Sequence, residues 1–197
     1  MELDHLIETW SIRLGEIMKL VTLKKNIGLG DALNIGIKEC KYDIVARMDT
    51  DDISNKDRFK IQLEYLLKNN SCVILGSIIE EFENTPGDLD KFRLVPISSK
   101  DIQLKKFNRN PFNHMTVGFR KSIIISAGGY LDMPGYEDYY LWLRVLNKYN
   151  GCNIEESLVY ARVGNDMIGR RQGYLFFKKE IQLIIDFFEV ISNFTKS

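Results

Sequence analysis

The most informative stretch of the chain is Val45-Ala46-Arg47-Met48-Asp49-Thr50-Asp51-Asp52. Residues 44–48 are mostly apolar, which predicts a short buried strand. Three carboxylates follow within four residues, and alternation along an extended chain would place Asp49 and Asp51 on the same side. Two convergent carboxylates at a strand end suit Mg²⁺ or Mn²⁺ and leave coordination positions open for substrate phosphates. The stretch fits equally well a polar turn in which Asp52 caps a helix.

Length, charge and cysteine usage restrict the class of protein. The chain has 197 residues, 45% of them hydrophobic, which is enough for a single domain over 1–197 with a real core. Lys plus Arg and Asp plus Glu both number 27, and this zero net charge argues against a nucleic-acid partner. The three cysteines lack metal-ligand spacing, which is typical of a reducing compartment, so we expect a cytoplasmic location.

Apolar periodicity predicts an α/β chain. Helices are expected at 3–17, 31–40, 57–69, 98–107, 122–127, 139–149 and 174–194, and strands at 19–25, 44–48, 72–82, 115–119 and 154–162. Asp31 is the expected cap of the second helix. This alternation predicts helices packed on a sheet that is at least partly parallel. Ligands of such sheets bind beyond the carboxyl ends of strands, which is where Asp49 and Asp51 fall.

Seven short motifs follow one another along the chain. They are Asn26-Ile27-Gly28-Leu29, Ala32-Leu33-Asn34-Ile35-Gly36, the acidic stretch from Ala46 to Asp52, Asp57-Arg58-Phe59 with Gln62, Asn110-Pro111-Phe112-Asn113-His114, Gly128-Gly129-Tyr130, and Glu137-Asp138-Tyr139. In this order they resemble glycosyltransferase family 2, whose members are nucleotide-sugar transferases. The resemblance covers nearly the whole chain. It implies an α/β, GT-A-like (Rossmann-like) mixed sheet flanked by helices.

The resemblance also implies a role for the two acidic motifs. Asp49 and Asp51 would hold Mn²⁺ or Mg²⁺, which offsets the charge of a diphosphate leaving group. Asp138 would be the general base that accepts the proton of the attacking hydroxyl, while Glu137 orients it or binds acceptor. A position in the first turn of a helix favours ionised Asp138. Taken alone, the Glu-Asp pair fits ordinary first-turn charge better than a base.

Other residues are expected to contact the two substrates. By resemblance the donor is a nucleotide-diphosphate sugar and the acceptor is a saccharide or a lipid-linked saccharide. We expect the donor to contact Asn26, Gly28, Asn34, Arg47, Asp52, Arg170 and Arg171, and the acceptor to contact His114 and Tyr136. Arg47 flanks the acidic cluster and could pair with it or contact phosphate. An Arg fork suits a diphosphate, although the two late arginines fit a solvated basic loop equally well. An isolated His is more often structural than catalytic. The Gln-x-x-Arg-Trp motif of processive members does not occur, so by analogy we expect a single addition.

Family members begin with a strand–helix–strand unit that carries two motifs in contact with the nucleoside, a Pro-x-Tyr-Asn-like start and an Asp-Asp-Gly-Ser-like stretch. Neither motif occurs in this sequence. We therefore expect an N-terminally truncated chain with an exposed sheet edge, weak nucleotide binding and poor transfer. One alternative is a non-catalytic remnant that binds sugar or pairs with another transferase. Another is a metal-dependent phosphatase, which would leave the Gly-Gly-Tyr and Glu-Asp motifs unexplained.

The predicted tail helix carries a broad apolar face. Its members are Phe176, Phe177, Ile184, Phe187, Phe188 and Ile191. Such a face offers peripheral contact with the inner face of the plasma membrane, but it is more often core packing.

Overall fold

Helices and strands alternate along the chain in the structure, a computed structural model that describes residues 2–164, 178–185 and 187–188. The helices are α1 (Glu2–Leu14), α2 (Leu29–Glu39), α3 (Arg58–Lys68), α4 (Ser99–Lys105), α5 (Lys121–Ser126) and α6 (Glu137–Leu146), and residues 178–185 and 187–188 are also helical. Short 3-10 turns cover Gly15–Ile17 and His114–Thr116. The strands are β1 (Ile44–Ala46), β2 (Ile53–Ser54), β3 (Cys72–Phe82), β4 (Lys91–Arg93), β5 (Gly118–Arg120) and β6 (Asn150–Arg162).

The strands form one mixed sheet with the order β1–β5–β3–β6–β2, and β4 pairs with β3. β3 and β6 run parallel, whereas the other pairs are antiparallel. β3 is apolar and buried along nearly its whole length because it has neighbours on both edges. The predicted mixed α/β sheet flanked by helices is confirmed.

α6 is the central helix. It buries seven of its ten residues, because apolar side chains cover most of its circumference. Trp142 is fully buried and packs against the rings of Phe112, His114, Phe119 and Tyr130, with ring centroids 5.8 to 6.5 Å apart. This aromatic cluster fixes the start of α6 against the chain segment 110–119.

Two apolar segments near the N-terminus are not buried. The strand predicted at 19–25 is wrong, because no strand in the described part of the chain lies beside it to supply ladder hydrogen bonds. α1 forms as predicted up to Leu14, and the last predicted residues, 15–17, form a 3-10 turn instead. Leu6 and Trp10 on the apolar face of α1 are 49% and 45% exposed, and Ile17 in the turn is 87% exposed. The amphipathic pattern therefore predicts the helix correctly without indicating what covers it.

Three further local predictions need correction. β1 ends at Ala46 and is only half-buried, because it is the outer strand of the described sheet and has one neighbour. Gly28, with a φ of 86°, occupies the N-cap of α2, and Asp31 lies in the first turn instead. The strand expected at 115–119 is β5, which starts later because a 3-10 turn precedes it.

The helical residues 178–185 and 187–188 pack against α6. Leu183, Ile184 and Phe187 pack with a tyrosine-rich cluster there, whereas Phe188 is 50% exposed. Phe176, Phe177 and Ile191 lie outside the described residues. Within the described ranges no helix is both long and apolar enough to cross a bilayer.

Candidate active site

A cavity of about 660 Å³ lies between the segment that follows β1 and the start of α6. Six of the residues predicted from the sequence line it: Arg47, Asp49, His114, Tyr136, Glu137 and Asp138. The fold therefore brings together the acidic stretch, the Asn-Pro-Phe-Asn-His motif and the Glu-Asp motif.

The acidic loop, residues 47–52, is anchored by a buried polar network. Arg58 is fully buried, and its Nη2 donates to the backbone carbonyl of Arg47 at 2.6 Å while its Nε donates to Gln62 at 3.0 Å. The Gln62 amide donates to the carbonyl oxygens of Leu75 and Thr116 at 3.1 and 2.8 Å. Burial, with the nearby positive charge of Arg47, lowers the pKa of Arg58 to about 10. Arg58 is thus a structural anchor and does not reach the cavity.

Arg47 and Asp49 form a bidentate ion pair on the cavity wall. The two N···O distances are 2.7 and 2.5 Å. Asp51 is exposed, does not line the cavity, and belongs to a turn at residues 50–51. The expected alternation of Asp49 and Asp51 along an extended chain is therefore wrong, because the chain turns between them.

Asp52 lies deeper in the acidic loop. Its Oδ1 accepts a hydrogen bond from the backbone N–H of Arg162 at 2.9 Å, and its Oδ2 is buried with no hydrogen-bond partner in the described residues. Burial raises the pKa of Asp52, and the negative charges of Asp51 and Asp49 raise it further. A buried oxygen without a donor, beside two other carboxylates, is an environment that a divalent cation would stabilise. No group of three His, Cys, Asp or Glu side chains in the described ranges is arranged to hold a metal, so substrate oxygens would have to complete the coordination.

Asp138 lies in the first turn of α6. The Asn110 amide donates to its Oδ2 at 2.7 Å, and the helix N-terminus favours the ionised carboxylate. Glu137 accepts a hydrogen bond from the backbone N–H of Gly135 at 3.0 Å. Asn110 has no individual role in the sequence-based prediction, although it opens the Asn-Pro-Phe-Asn-His motif. That motif was the available signal.

His114 and Tyr136 also line the cavity. His114 Nε2 and the Tyr130 hydroxyl are hydrogen-bonded at 2.8 Å. Burial raises the pKa of Tyr130, and the negative charge of Asp138 adds to the effect. Burial likewise raises the pKa of Tyr136 to about 12, with a smaller contribution from Glu180. His114 therefore has a structural partner and also faces the cavity.

Three other predicted donor contacts, Asn26, Gly28 and Asn34, are not among the residues that line the main cavity. Asn26 accepts a hydrogen bond from the Gly28 N–H at 2.9 Å, and Gly28 lines a smaller cavity of about 120 Å³ that it shares with Glu137. Asn34 is engaged with the backbone of Tyr130, donating to its carbonyl and accepting from its N–H, both at 2.8 Å. Arg170 and Arg171 lie outside the described residues.

Three charged residues line the main cavity without having been singled out from the sequence: Arg93, Arg109 and Glu180. Arg93 ends β4 and Arg109 follows α4, elements whose sequences carry no motif of the family. Asn113 also lines the cavity and belongs to the Asn-Pro-Phe-Asn-His motif.

The sequence of the chain is similar to those of known glycosyltransferases. Residues 2–126 match the sequence profile of Glycosyl transferase family 2. One relative is the UDP-Gal:alpha-D-GlcNAc-diphosphoundecaprenol beta-1,3-galactosyltransferase of Escherichia coli, 42% identical over 188 residues, covering 95% of this chain and 67% of that protein. Another is the amylovoran biosynthesis glycosyltransferase AmsE of Erwinia amylovora, 41% identical over 165 residues, covering 83% and 61%. An uncharacterized glycosyltransferase of Haemophilus influenzae is 46% identical over 157 residues, and the chain spans only 58% of its length.

Two solved structures have a similar fold. S. aureus TarS 1-349 in complex with UDP-GlcNAc has a TM-score of 0.65 at 16% identity, covering 94% of this chain and 54% of that one. The mannosyltransferase PcManGT from Pyrobaculum calidifontis, in complex with GDP-Man and Mn²⁺, has a TM-score of 0.62 at 13% identity, covering 91% and 56%. These likenesses show a GT-A fold. With a family match over more than half of the chain and relatives above 40% identity, the chain belongs to glycosyltransferase family 2.

Proposed function

We propose that this chain takes part in transferring a sugar from a nucleotide-diphosphate donor to a saccharide or lipid-linked acceptor in surface polysaccharide synthesis, at the inner face of the plasma membrane. The observation that carries the proposal is that Asp49 and Asp138, 89 positions apart (138 − 49), line one cavity. The names of two relatives support it, because one specifies a UDP-Gal donor with a diphosphoundecaprenol-linked acceptor and the other specifies amylovoran biosynthesis.

Donor activation is assigned to a divalent cation at the acidic loop. Asp49 and Asp51 would hold Mn²⁺ or Mg²⁺, with diphosphate oxygens as further ligands, and the cation would offset the charge of the leaving diphosphate. The unpartnered Oδ2 of Asp52 and the crowding of the three carboxylates support this assignment. Arg47, paired with Asp49, adds a positive charge at the same wall.

Acceptor activation is assigned to Asp138. The hydrogen bond from Asn110 orients its carboxylate, and the N-terminus of α6 keeps it ionised and able to accept the hydroxyl proton. A base on the acceptor side and a departing diphosphate on the other give a single displacement, which inverts the anomeric carbon. The enzyme would therefore be an inverting, non-processive transferase.

The metal assignment is tested by calorimetric titration of the chain with UDP in the presence and absence of MnCl₂. Asp49→Asn and Asp51→Asn should each abolish the Mn²⁺-dependent part of the affinity while leaving the circular dichroism spectrum unchanged. Asp90→Asn, at an exposed turn position, is the matched control. Retained Mn²⁺-dependent affinity in both acidic-loop variants would refute the assignment.

The base assignment is tested separately from binding. Asp138→Asn should keep UDP affinity and lower transfer by about 10²- to 10⁴-fold, because that is the usual contribution of a general base. Glu137→Gln is the comparison variant. Near-normal turnover of Asp138→Asn with a loss in Glu137→Gln would move the base to the neighbouring residue.

One observation favours a second candidate, a non-catalytic module that pairs with another transferase. The exposed apolar face of α1, with Leu6, Trp10 and Leu14, continues to Ile17 in the following 3-10 turn and is a surface of the kind that protein partners cover. Sedimentation of the chain together with the UDP titration discriminates the two functions. Self-association or partner binding without any Mn²⁺-dependent nucleotide affinity would favour the module.

A further inference from the structure

Two arginines lie in the main cavity on segments that the fold ties together. Arg109 Nη2 donates to the carbonyl of Leu94, the residue that follows β4 and Arg93. The Asn113 amide donates to the carbonyl oxygens of Arg93 and Ser77 at 3.3 and 3.0 Å. The Arg109 guanidinium is therefore held by the backbone beside Arg93, and the backbone of Arg93 is itself held by Asn113. Both arginines are among the residues that line the cavity with Asp138.

The two arginines differ in their ion pairs. Glu81, whose side chain is only 4% exposed, forms ion pairs with both Arg93 and Lys91. Arg109 forms no ion pair within the described ranges, and its hydrogen bond to Leu94 is to a neutral oxygen. Each guanidinium has five N–H donors and uses only part of them in these contacts. The remaining donors match an anion with several acceptor oxygens, in a cavity whose lining also includes Glu137, Asp138 and Glu180.

The arginines also lie on the side of the proposed base. Arg109 directly precedes Asn110, whose amide is 2.7 Å from Asp138 Oδ2. The donor diphosphate, by contrast, is assigned to the acidic loop, where Arg47 is already paired with Asp49. An anion at Arg93 and Arg109 would therefore be part of the molecule that presents its hydroxyl to Asp138.

We propose that Arg93 and Arg109 form a subsite for the diphosphate of an acceptor saccharide linked through that diphosphate to a lipid. This inference rests on the proposed function and specifies the class of acceptor. Guanidinium forks match phosphate oxygens in geometry as well as in charge, so the subsite orients the acceptor sugar in addition to binding it. The acceptor would lie with its saccharide towards Asp138 and its diphosphate towards the two arginines.

The test is calorimetric titration of the full chain with two synthetic acceptors. One is N-acetylglucosamine joined through an α-diphosphate to an octyl chain, and the other is octyl N-acetylglucosaminide without phosphates. The diphosphate compound should bind at least about tenfold more tightly than the glycoside. Arg109→Ala should lower the affinity for the diphosphate compound by about 10- to 100-fold, as expected for the loss of a charge-assisted hydrogen bond, and should leave the affinity for the glycoside unchanged. Arg109→Lys should retain part of the affinity because it keeps the charge without the fork.

Controls separate this subsite from the donor site and from a general anion site. Arg13→Ala, an exposed arginine on α1, should bind both acceptors as the unaltered chain does. UDP affinity with Mn²⁺ should be the same in Arg109→Ala, and a loss there would assign Arg109 to the donor and overturn the proposal. Equal affinity for both acceptors, or inorganic pyrophosphate binding as tightly as the diphosphate acceptor, would also overturn it. Failure of UDP to bind the unaltered chain would refute the proposed donor chemistry without affecting the acceptor titration.

Discussion

Gln62 is the residue whose replacement tests the buried network most directly. Its side chain accepts from Arg58 Nε and donates to the carbonyl oxygens of Leu75 and Thr116, and it is 2% exposed. Gln62→Leu removes the hydrogen-bond partner of these three buried groups, which lowers the free energy of unfolding by about 1–3 kcal/mol for each group. Burying the leucine returns about 1.5–3 kcal/mol. The net expected loss is about 1.5–6 kcal/mol of unfolding free energy.

Urea denaturation at 25 °C, followed by far-ultraviolet circular dichroism, measures this loss. Lys60→Leu introduces the same side chain at an exposed position of α3 and should change stability by less than about 0.5 kcal/mol. Because Gln62 also holds Arg58, and Arg58 holds the carbonyl of Arg47, Mn²⁺-dependent UDP affinity should fall in Gln62→Leu and remain in the control. Stability of Gln62→Leu within about 0.5 kcal/mol of the unaltered chain would refute the idea that this network anchors the acidic loop.

Two other substitutions probe the surroundings of the site. Burial opposes ionisation of Glu81, but its bonds with Lys91 and Arg93 prevail and lower its pKa below 4.5, so its stabilising contribution is present above that pH and is lost on acidification. The stability difference between the unaltered chain and Glu81→Gln should therefore shrink in urea titrations from pH 7 to pH 3, and a constant difference would contradict the ion-pair account. Gly129→Ala would place a Cβ 2.4 Å from Asn34 Oδ1 at a φ of +67°, and should cost about 2–3 kcal/mol in strain and lost hydrogen bonds. Gly36→Ala, in open space on α2, is the control and should stabilise the fold by about 0.5–1 kcal/mol. Thermal melts of both variants measure these changes, and an equal change in stability in the two would refute the steric argument.

Elements with a strong local pattern were predictable from the sequence. β3 was predicted at 72–82 and observed at Cys72–Phe82, because a continuous apolar run between polar ends indicates a strand paired on both edges. α3 and α6 begin and end within three residues of their predicted bounds, because apolar residues recur along both segments at helical spacing. The segment at 19–25 shows the limit of such patterns. Its apolar residues favour extended backbone, but a strand exists only where a second strand supplies hydrogen bonds.

The polar contacts of the site were less predictable than its members. The motifs identified Asp49 and Asp138, and both line the cavity. The position of Arg47 beside the acidic cluster indicated that it could pair with a carboxylate there, and it pairs with Asp49. No sequence pattern indicates that Asn110 orients Asp138. Asn110 and Asp138 are 28 positions apart, and a hydrogen bond between them depends on α6 packing through Trp142 against Phe112, two residues after Asn110. The orientation of the proposed base is thus a consequence of core packing. Replacing Trp142 with a smaller apolar residue, as in Trp142→Leu, should therefore lower the rate of sugar transfer more than it lowers the metal-dependent affinity for UDP. The acidic loop that binds the metal is anchored separately, by Arg58 and Gln62.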